Sequence, residues 1–474
     1  MPDVPFEPSF LSLLPPLLAI ALALRTRHVY LSLAAGVWLG WTIVSGWNPL
    51  VGLGATIAAM VGVLGDAGSA RVLLFTLVIG ALIATVEAGG GVRGFVQWIE
   101  RRRAVAGPRG ARLVAFLVGV VIFIESNITV LVAGAVSRPL FDRVRRSREM
   151  LAYLIDSTSS AICILIPLNA WGAYVLALLL DQGVDDPLGV FVAAIPMNLY
   201  AVAAVLIAGT VAVTGWTIGP MRAAEARASG GILHAEGDTP AVDEEALVPP
   251  ATTAIPARAA NMLVPIVTMV AMMPVGLLIT GGGDIRAGSG SVAVLWAVLA
   301  ALAVAWILQL AQRGLSVNEL TRTGLRGAGG MLGLALVLLL ALALGGVTRQ
   351  MGAGEYVAQV VAGTLPVFVL LPLIFLAGAF IAFATGTSWG TFAIMIPLAV
   401  PTAMALGLPP APFLAAALSG GIFGDHSSPI SDSTVVSSLA AATDHIAHVR
   451  TQLPYAMLAA GIAVIGFAII GASI

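Results

Sequence analysis

The chain has 474 residues, of which 59% are hydrophobic and only 10% charged, with a formal net charge of −1. A soluble protein carries about 25% charge, so this composition and a mean hydropathy of +1.00 exclude an ordinary water-facing fold. The near-zero charge gives no electrostatic case for a nucleic-acid partner. The lone cysteine, Cys163, excludes an internal disulfide and reads as a small core residue.

Apolar runs of the roughly 20 residues that a bilayer demands recur along the chain. They lack the alternation of barrel strands, so helices are the expected spanning form. The fold predicted is an all-α polytopic membrane protein of about ten spans. The opening "MPDVPFEPSF" lacks the basic region and small-residue cleavage site of a signal peptide. Spans are predicted over 9–24, 28–46, 71–88, 150–180 and 188–215. The stretch 216–257 is polar, acidic and rich in Gly and Pro, and reads as a solvated cytoplasmic linker between an N-terminal half, 1–215, and a C-terminal half, 258–474. In the second half, spans are predicted over 261–280, 291–312, 327–346, 411–443 and 454–473.

All basic residues are arginines, and their placement sets the orientation. Arg25 and Arg27, the group from Arg93 to Arg112, and Arg313, Arg322 and Arg326 all favour the cytoplasm. The N-terminus is then outside, and the segment 50–65 lies along the interface. Arginines also flank both ends of 113–136, from Arg112 back and from Arg138 to Arg148 onward. A re-entrant hairpin satisfies both flanks, with "FIESNIT" at its tip and Glu125, Ser126, Asn127 and Thr129 in mid-membrane. A second polar tip, "FATGTSWGT", carries Thr385, Thr387 and Ser388.

The halves repeat one plan in opposite orientation. "DSTSS" from Asp156 matches "DHSSP" from Asp425 in place. Inverted repeats with polar breaks at corresponding positions point to a transporter binding site. Freed backbone groups at such breaks must line a cavity or hold a ligand. Gly386, Gly390, Gly420, Gly421 and Gly424 are read as permitting the unwinding, and Pro429 as removing one backbone bond. Glu125, Asp156, Asp425 and Asp432, with Glu87 less central, are intramembrane carboxylates and therefore functional candidates. Ser157, Thr158, Ser427, Ser428 and Ser431 add neutral oxygens. Hard cations want several oxygens with a carboxylate supplying charge, which makes Asp156, Asp425 and Ser428 the Na+ candidates. A carboxylate out of water can hold either a proton or a metal ion, as exchange through a shared site requires. Asp156 and Asp425 also resemble helix N-caps, and Asp432 follows Asp425 at two helical turns. His426 could tune the proton or satisfy a neighbour. Asp444, His445 and His448 have spacing compatible with a metal, but the histidines and Arg450 also suit a helix C-terminus. Asn169, Trp171 and Tyr174 are candidate cavity-lining residues, with aromatic packing as the equal alternative.

Three stretches carry a family likeness: "RPLFDRVRRSREMLAYLIDSTSSAICILIPLNAWGAYV", "FATGTSWGTFAIMIPLAVPTA" and "GDHSSPISDSTVVSSLAAATDHIAHVRTQLPYA". They resemble the NhaC family of Na+/H+ antiporters within the Ion Transporter superfamily, over nearly the whole chain outside the linker. The resemblance implies secondary active transport of Na+ and H+ in a bacterial inner membrane. It also implies an elevator-like motion of a hairpin-bearing domain, a homodimer, and no organic cofactor. One departure stands out: where family members often carry Asp-Asp-Tyr, this chain has Glu125, Ser126 and Asn127. Ser126, Asn127 and Thr129 instead look like the carboxylate-binding tips of the superfamily's dicarboxylate transporters. That makes a Na+- or H+-coupled transporter of a small organic acid or amino acid the alternative. No nucleotide loop, catalytic triad or carbonyl filter motif suggests an enzyme or channel.

Overall fold

The computed structural model describes residues 6–26, 28–101, 107–121, 123, 126–167, 169–233, 235, 238, 256–283, 288–361 and 365–474. Among them there is no strand, and the chain is a succession of helices. The first half contains α1 (Leu14–Thr26), α2 (Val29–Val44), α3 (Pro49–Gly65), α4 (Ala67–Ala88), α5 (Gly91–Arg101), α6 (Pro108–Val121), α7 (Ser126–Arg143), α8 (Arg148–Ser157), α9 (Ser160–Leu165), α10 (Ala170–Asp181), α11 (Pro187–Ala194) and α12 (Leu199–Thr214). After α13 (Pro220–Ser229) come α14 (Ala260–Thr280), α15 (Gly290–Ala311), α16 (Val317–Gly330), α17 (Leu332–Gln350), α18 (Ala353–Val361), α19 (Val367–Thr385), α20 (Ser388–Ala405), α21 (Pro410–Ser427), α22 (Asp432–Ala441) and α23 (His445–Ser473).

Seven of these helices are long and apolar enough to cross a bilayer, and up to ten spans result if each bent pair counts as one. The spans predicted over 71–88, 261–280 and 291–312 appear as α4, α14 and α15. The segment 50–65 is α3, whose axis turns 119° from α2. Asn48 starts it by accepting the N–H groups of Leu50 and Val51, with Pro49 in the first turn.

The long predicted spans 150–180 and 411–443 are not continuous. The first is interrupted between α8 and α9 and again before α10, and the second between α21 and α22. Ser428 holds extended backbone because Pro429 disfavours the helical region for the residue before it, and Ser431 is extended as the N-cap of α22. The segment 188–215 also bends, by 46° between α11 and α12.

The paired helices α6 and α7 pack together and form the two limbs of the first hairpin. The second hairpin is α19 and α20, with limbs of 19 and 18 residues, so each is long enough to cross a bilayer. Its junction is the left-handed Gly386 (φ 69°), and a Cβ there would stand 2.6 Å from the Ile430 carbonyl oxygen. The other glycines have a different role from the one expected. Gly420, Gly421 and Gly424 lie inside unbroken α21 and permit close approach to its neighbours. A Cβ at Gly420 would stand 2.3 Å from the Phe375 oxygen, and one at Gly424 2.2 Å from the Ala379 oxygen. Gly390 lies in the first turn of α20.

The polar segment between the halves is partly built into the body. Within it, α13 buries Met221, Ala224, Glu225 and Ala228. Glu225 accepts the Ser147 N–H (2.9 Å) and hydroxyl (2.7 Å) and pairs with Arg146 at 2.8 Å. Arg227 pairs with Glu149. Residues 220–229 are thus a docked helix, where a solvated linker was expected.

Candidate functional site

The two helix breaks meet. Asp156 is the penultimate residue of α8, and Asp425 lies in the last turn of α21. Neither is an N-cap: both sit at helix C-terminal ends, where the backbone already presents negative partial charge. Adding a carboxylate there is electrostatically adverse unless a cation or proton accompanies it. Both side chains are buried.

Asp425 is ringed by hydroxyls. Its Oδ1 accepts from Ser431 at 2.7 Å and its Oδ2 from Ser388 at 3.2 Å. The Ser431 hydroxyl lies 3.1 Å from that of Ser433. Ser388 opens α20, so the second hairpin delivers a hydroxyl to a carboxylate of α21. Ser428 donates instead to the Phe383 carbonyl at 2.6 Å, tying the break to the hairpin's end. Thr387 caps α20 through the Gly390 N–H, and Thr385 donates back to Ile381 within α19. Ser427 likewise donates to Phe423 within α21. These three hydroxyls serve local backbone.

Asp156 has a different surround. Its Oδ2 accepts from the Gln452 amide at 2.8 Å, with the His448 Nε2 at 3.8 Å and the His426 Nε2 at 3.9 Å. Among the described residues its Oδ1 has no hydrogen-bond partner, and the buried hydroxyls of Ser160 and Thr434 have none either. Each follows one of the two breaks, and sequence reasoning singled out neither. The His426 Nε2 lies 3.2 Å from the Ser157 hydroxyl and its Nδ1 lies 2.6 Å from the Tyr200 hydroxyl. His426 therefore faces the Asp156 side, not its chain neighbour Asp425. Gln452 also donates to the His426 carbonyl. Thr158 donates to the Leu154 carbonyl at 2.7 Å, and a Cβ on Gly119 of the first hairpin would overlap its hydroxyl.

Several sequence expectations change here. Asp444, His445, His448 and Arg450 lie at the start of α23, not at a helix C-terminus, and Asp444 caps the Ala447 N–H at 2.8 Å. His445 is bonded to the Pro429 carbonyl (2.6 Å) and to Ser438 (2.9 Å). His448 is bonded to Ser438 and Gln452, both at 2.9 Å. Among the described residues no group of three or more His, Cys, Asp or Glu could hold a metal ion, so the metal spacing has another purpose. Asp432 starts α22 across the break from Asp425, so the two do not share one helical face. Glu87 is exposed near the end of α4.

The first hairpin also reaches the breaks. The Phe123 carbonyl accepts from Asn169 at 2.8 Å, and the same amide donates to Cys163 at 2.8 Å. Asn169 is therefore a cap and brace for α10, and not a cavity liner. Ser126 and Thr129 are buried in α7. Asn127 lies in the same helix, while Glu125 lies outside the described residues. Trp171 packs on Trp389 with ring centres 4.5 Å apart, and the Tyr174 hydroxyl donates to the Trp389 carbonyl at 2.9 Å. Both residues thus take part in aromatic packing against Trp389.

The sequence profile of the Na+/H+ antiporter family matches residues 179–472. A Haemophilus influenzae protein, described only as an uncharacterized protein, is 33% identical over 99% of this chain and 92% of its own length. The malate-2H+/Na+-lactate antiporter of Bacillus subtilis is 34% identical over 36% of this chain and 37% of its own. Two solved transporters share the fold. The Alcanivorax borkumensis YdaH transporter has TM-score 0.57 and 17% identity, covering 89% of this chain and 88% of its own. Neisseria gonorrhoeae MtrF has TM-score 0.52 and 13% identity, covering 88% and 83%.

Proposed function

The chain belongs to the Na+/H+ antiporter family, and from that membership and the geometry of its two broken helices we propose that it exchanges Na+ for H+ at mid-membrane. One observation carries the reading: Asp156 and Asp425 are both buried at helix C-terminal ends, and His426, next to Asp425 in the chain, reaches both Asp156 and Ser157. A helix C-terminus and a carboxylate both attract cations, and lipid offers no water to satisfy either. Asp425, with Ser388 and Ser431, supplies oxygens suited to Na+. Asp156, beside two imidazoles and an amide, supplies the protonatable partner. Occupation by one cation disfavours a second through like-charge repulsion. The two ions then alternate.

In this reading the two halves are inverted repeats in a bacterial inner membrane. The N-terminus lies outside, the segment between the halves is cytoplasmic, and the protein works as a homodimer. The arginine distribution supports the orientation. In proteoliposomes carrying a pH-sensitive dye, Na+ alone moves protons, and Asp425→Asn abolishes that movement in a folded protein. Full activity in the variant overturns the assignment.

A second reading has its own support. The Bacillus subtilis relative is named for organic acids, and Ser126, Asn127 and Thr129 open α7, whose N-terminus favours an anion. Under that reading the same carboxylates hold the coupling ion, and the dye responds only when Na+ and an organic acid are both present.

A further inference from the structure

A second polar space lies far from the breaks. It is a cavity of about 670 Å³ between the N-terminal ends of α4 and α15 and the C-terminal ends of α10 and α17. Helices α4 and α15 have 22 residues each, about 33 Å at 1.5 Å per residue. Their other ends meet the loops that carry Arg93 and Arg313. The cavity therefore sits at the face opposite the arginine-rich loops.

Its wall brings together Arg71, Arg349, Asp66, Asp181, Ser289 and Ser291. The negative groups already have donors. Asp66 accepts the Ser69 N–H at 2.8 Å as the cap of α4, and Asp181 accepts from Gln182 at 2.8 Å. The arginines face these aspartates in charge, Arg349 beside Asp181 and Arg71 beside Asp66, but keep spare N–H donors: Arg71 reaches only the Ser291 hydroxyl, at 3.5 Å, and among the described residues no hydrogen bond or close ion pair is formed by Arg349. Arg71 also stands in the second turn of α4 and beside the first turn of α15, whose cap Ser289 makes no side-chain bond. Cations near helix N-termini are unfavourable unless an anion offsets them.

Guanidinium groups match carboxylates through paired N–H donors. Three serine hydroxyls, Ser69, Ser289 and Ser291, can serve a ligand hydroxyl. The two aspartates balance the arginines, which disfavours a doubly charged phosphate. We propose that this cavity receives a small hydroxy-carboxylate, held by Arg349 and Arg71 at its carboxylate and by the serines at its hydroxyl. Only its purpose, delivery of solute to a transporter, rests on the reading given above. The wall is one helix from the buried site: α10 ends at Asp181 and carries Tyr174, which holds Trp389, the neighbour of Ser388.

The test is equilibrium binding of radiolabelled L-lactate, a singly charged hydroxy-carboxylate, to the purified full-length protein in detergent. Saturable binding is expected in the wild type, weakened at least tenfold in R349Q and in R71Q. Gly346 lines the cavity, and a Cβ there meets nothing within 4 Å, so G346L fills the space without a clash and should abolish binding. That variant carries the test if an arginine variant fails to fold. Absent binding to the wild type, unchanged binding in G346L, or tighter binding of inorganic phosphate overturns the proposal. Loss of lactate binding in D425N with retention in G346L also overturns it, by moving the ligand to the buried site. Na+-driven proton movement without lactate is scored separately and decides only the antiport reading.

Discussion

The two broken helices differ less in shape than in chemistry. Asp425 stands among Ser388, Ser431 and Ser433, with hydroxyls bonded to its oxygens or to one another. Asp156 stands among His426, His448 and Gln452, with the hydroxyls of Ser433 and Ser437 also near it. Hydroxyl oxygens can rotate to offer lone pairs to a hard cation, whereas imidazoles and amides relay or share protons. Two similar helix ends thus offer unlike chemistry, and the contrast can be broken experimentally.

The strongest test exchanges the carboxylates for amides. Stripping one buried charge from a cation site costs about 3–5 kcal/mol, so D425N and D156N should each reduce Na+-driven proton movement by roughly 100-fold or more. The two should part in a thermal-shift titration with NaCl. Na+ should still stabilise D156N but not D425N; the reverse pattern would exchange the two roles. Next in size are the braces of each break. Gly424→Val drives a side chain into the Ala379 carbonyl, and Gly119→Val drives one into Thr158. Overpacking of this kind costs about 1–3 kcal/mol, read as a lowered unfolding temperature, whereas Gly461→Val, with open space around it, should leave that temperature unchanged. A hydrogen bond to a charged group contributes about 1.5–3 kcal/mol. Ser388→Ala should therefore raise the Na+ concentration for half-maximal flux by roughly tenfold or more, with little change in unfolding temperature. The smallest effect is expected from Tyr200→Phe, which frees the His426 Nδ1. A loss of about 1 kcal/mol should slow turnover a few-fold without moving the Na+ dependence. A shift in that dependence would join His426 to the Asp425 side.

Much of this was legible in the sequence because lipid imposes a severe rule. Apolar runs had to be helices, so α4, α14 and α15 followed from composition alone, and hydroxyls and carboxylates inside such runs had to mark breaks. The breaks after Asp156 and Asp425 fell where "DSTSS" and "DHSSP" placed them. Distant partners were not legible. Tyr200 and Gln452 reach the site through helix packing, across separations of 226 and 296 residues from His426 and Asp156. No local pattern encodes such a meeting. His448 was conspicuous but misplaced, because the chain turns at Ala442, left-handed with φ 51°, and starts a new helix before it. The glycines of α21 misled for a related reason: lacking a side chain suits both an unwound backbone and a tight helix crossing, and only the neighbours decide which.

The docked helix α13 has a mechanical consequence. Glu225 and Arg227 grip Ser147, Arg146 and Glu149 at the head of α8, whose tail is Asp156. Ten residues of rigid rod, about 15 Å, join that grip to the carboxylate. A displacement of Asp156 along α8 would pull on α13, so the segment that follows α12 begins anchored to the same rod that ends in the carboxylate.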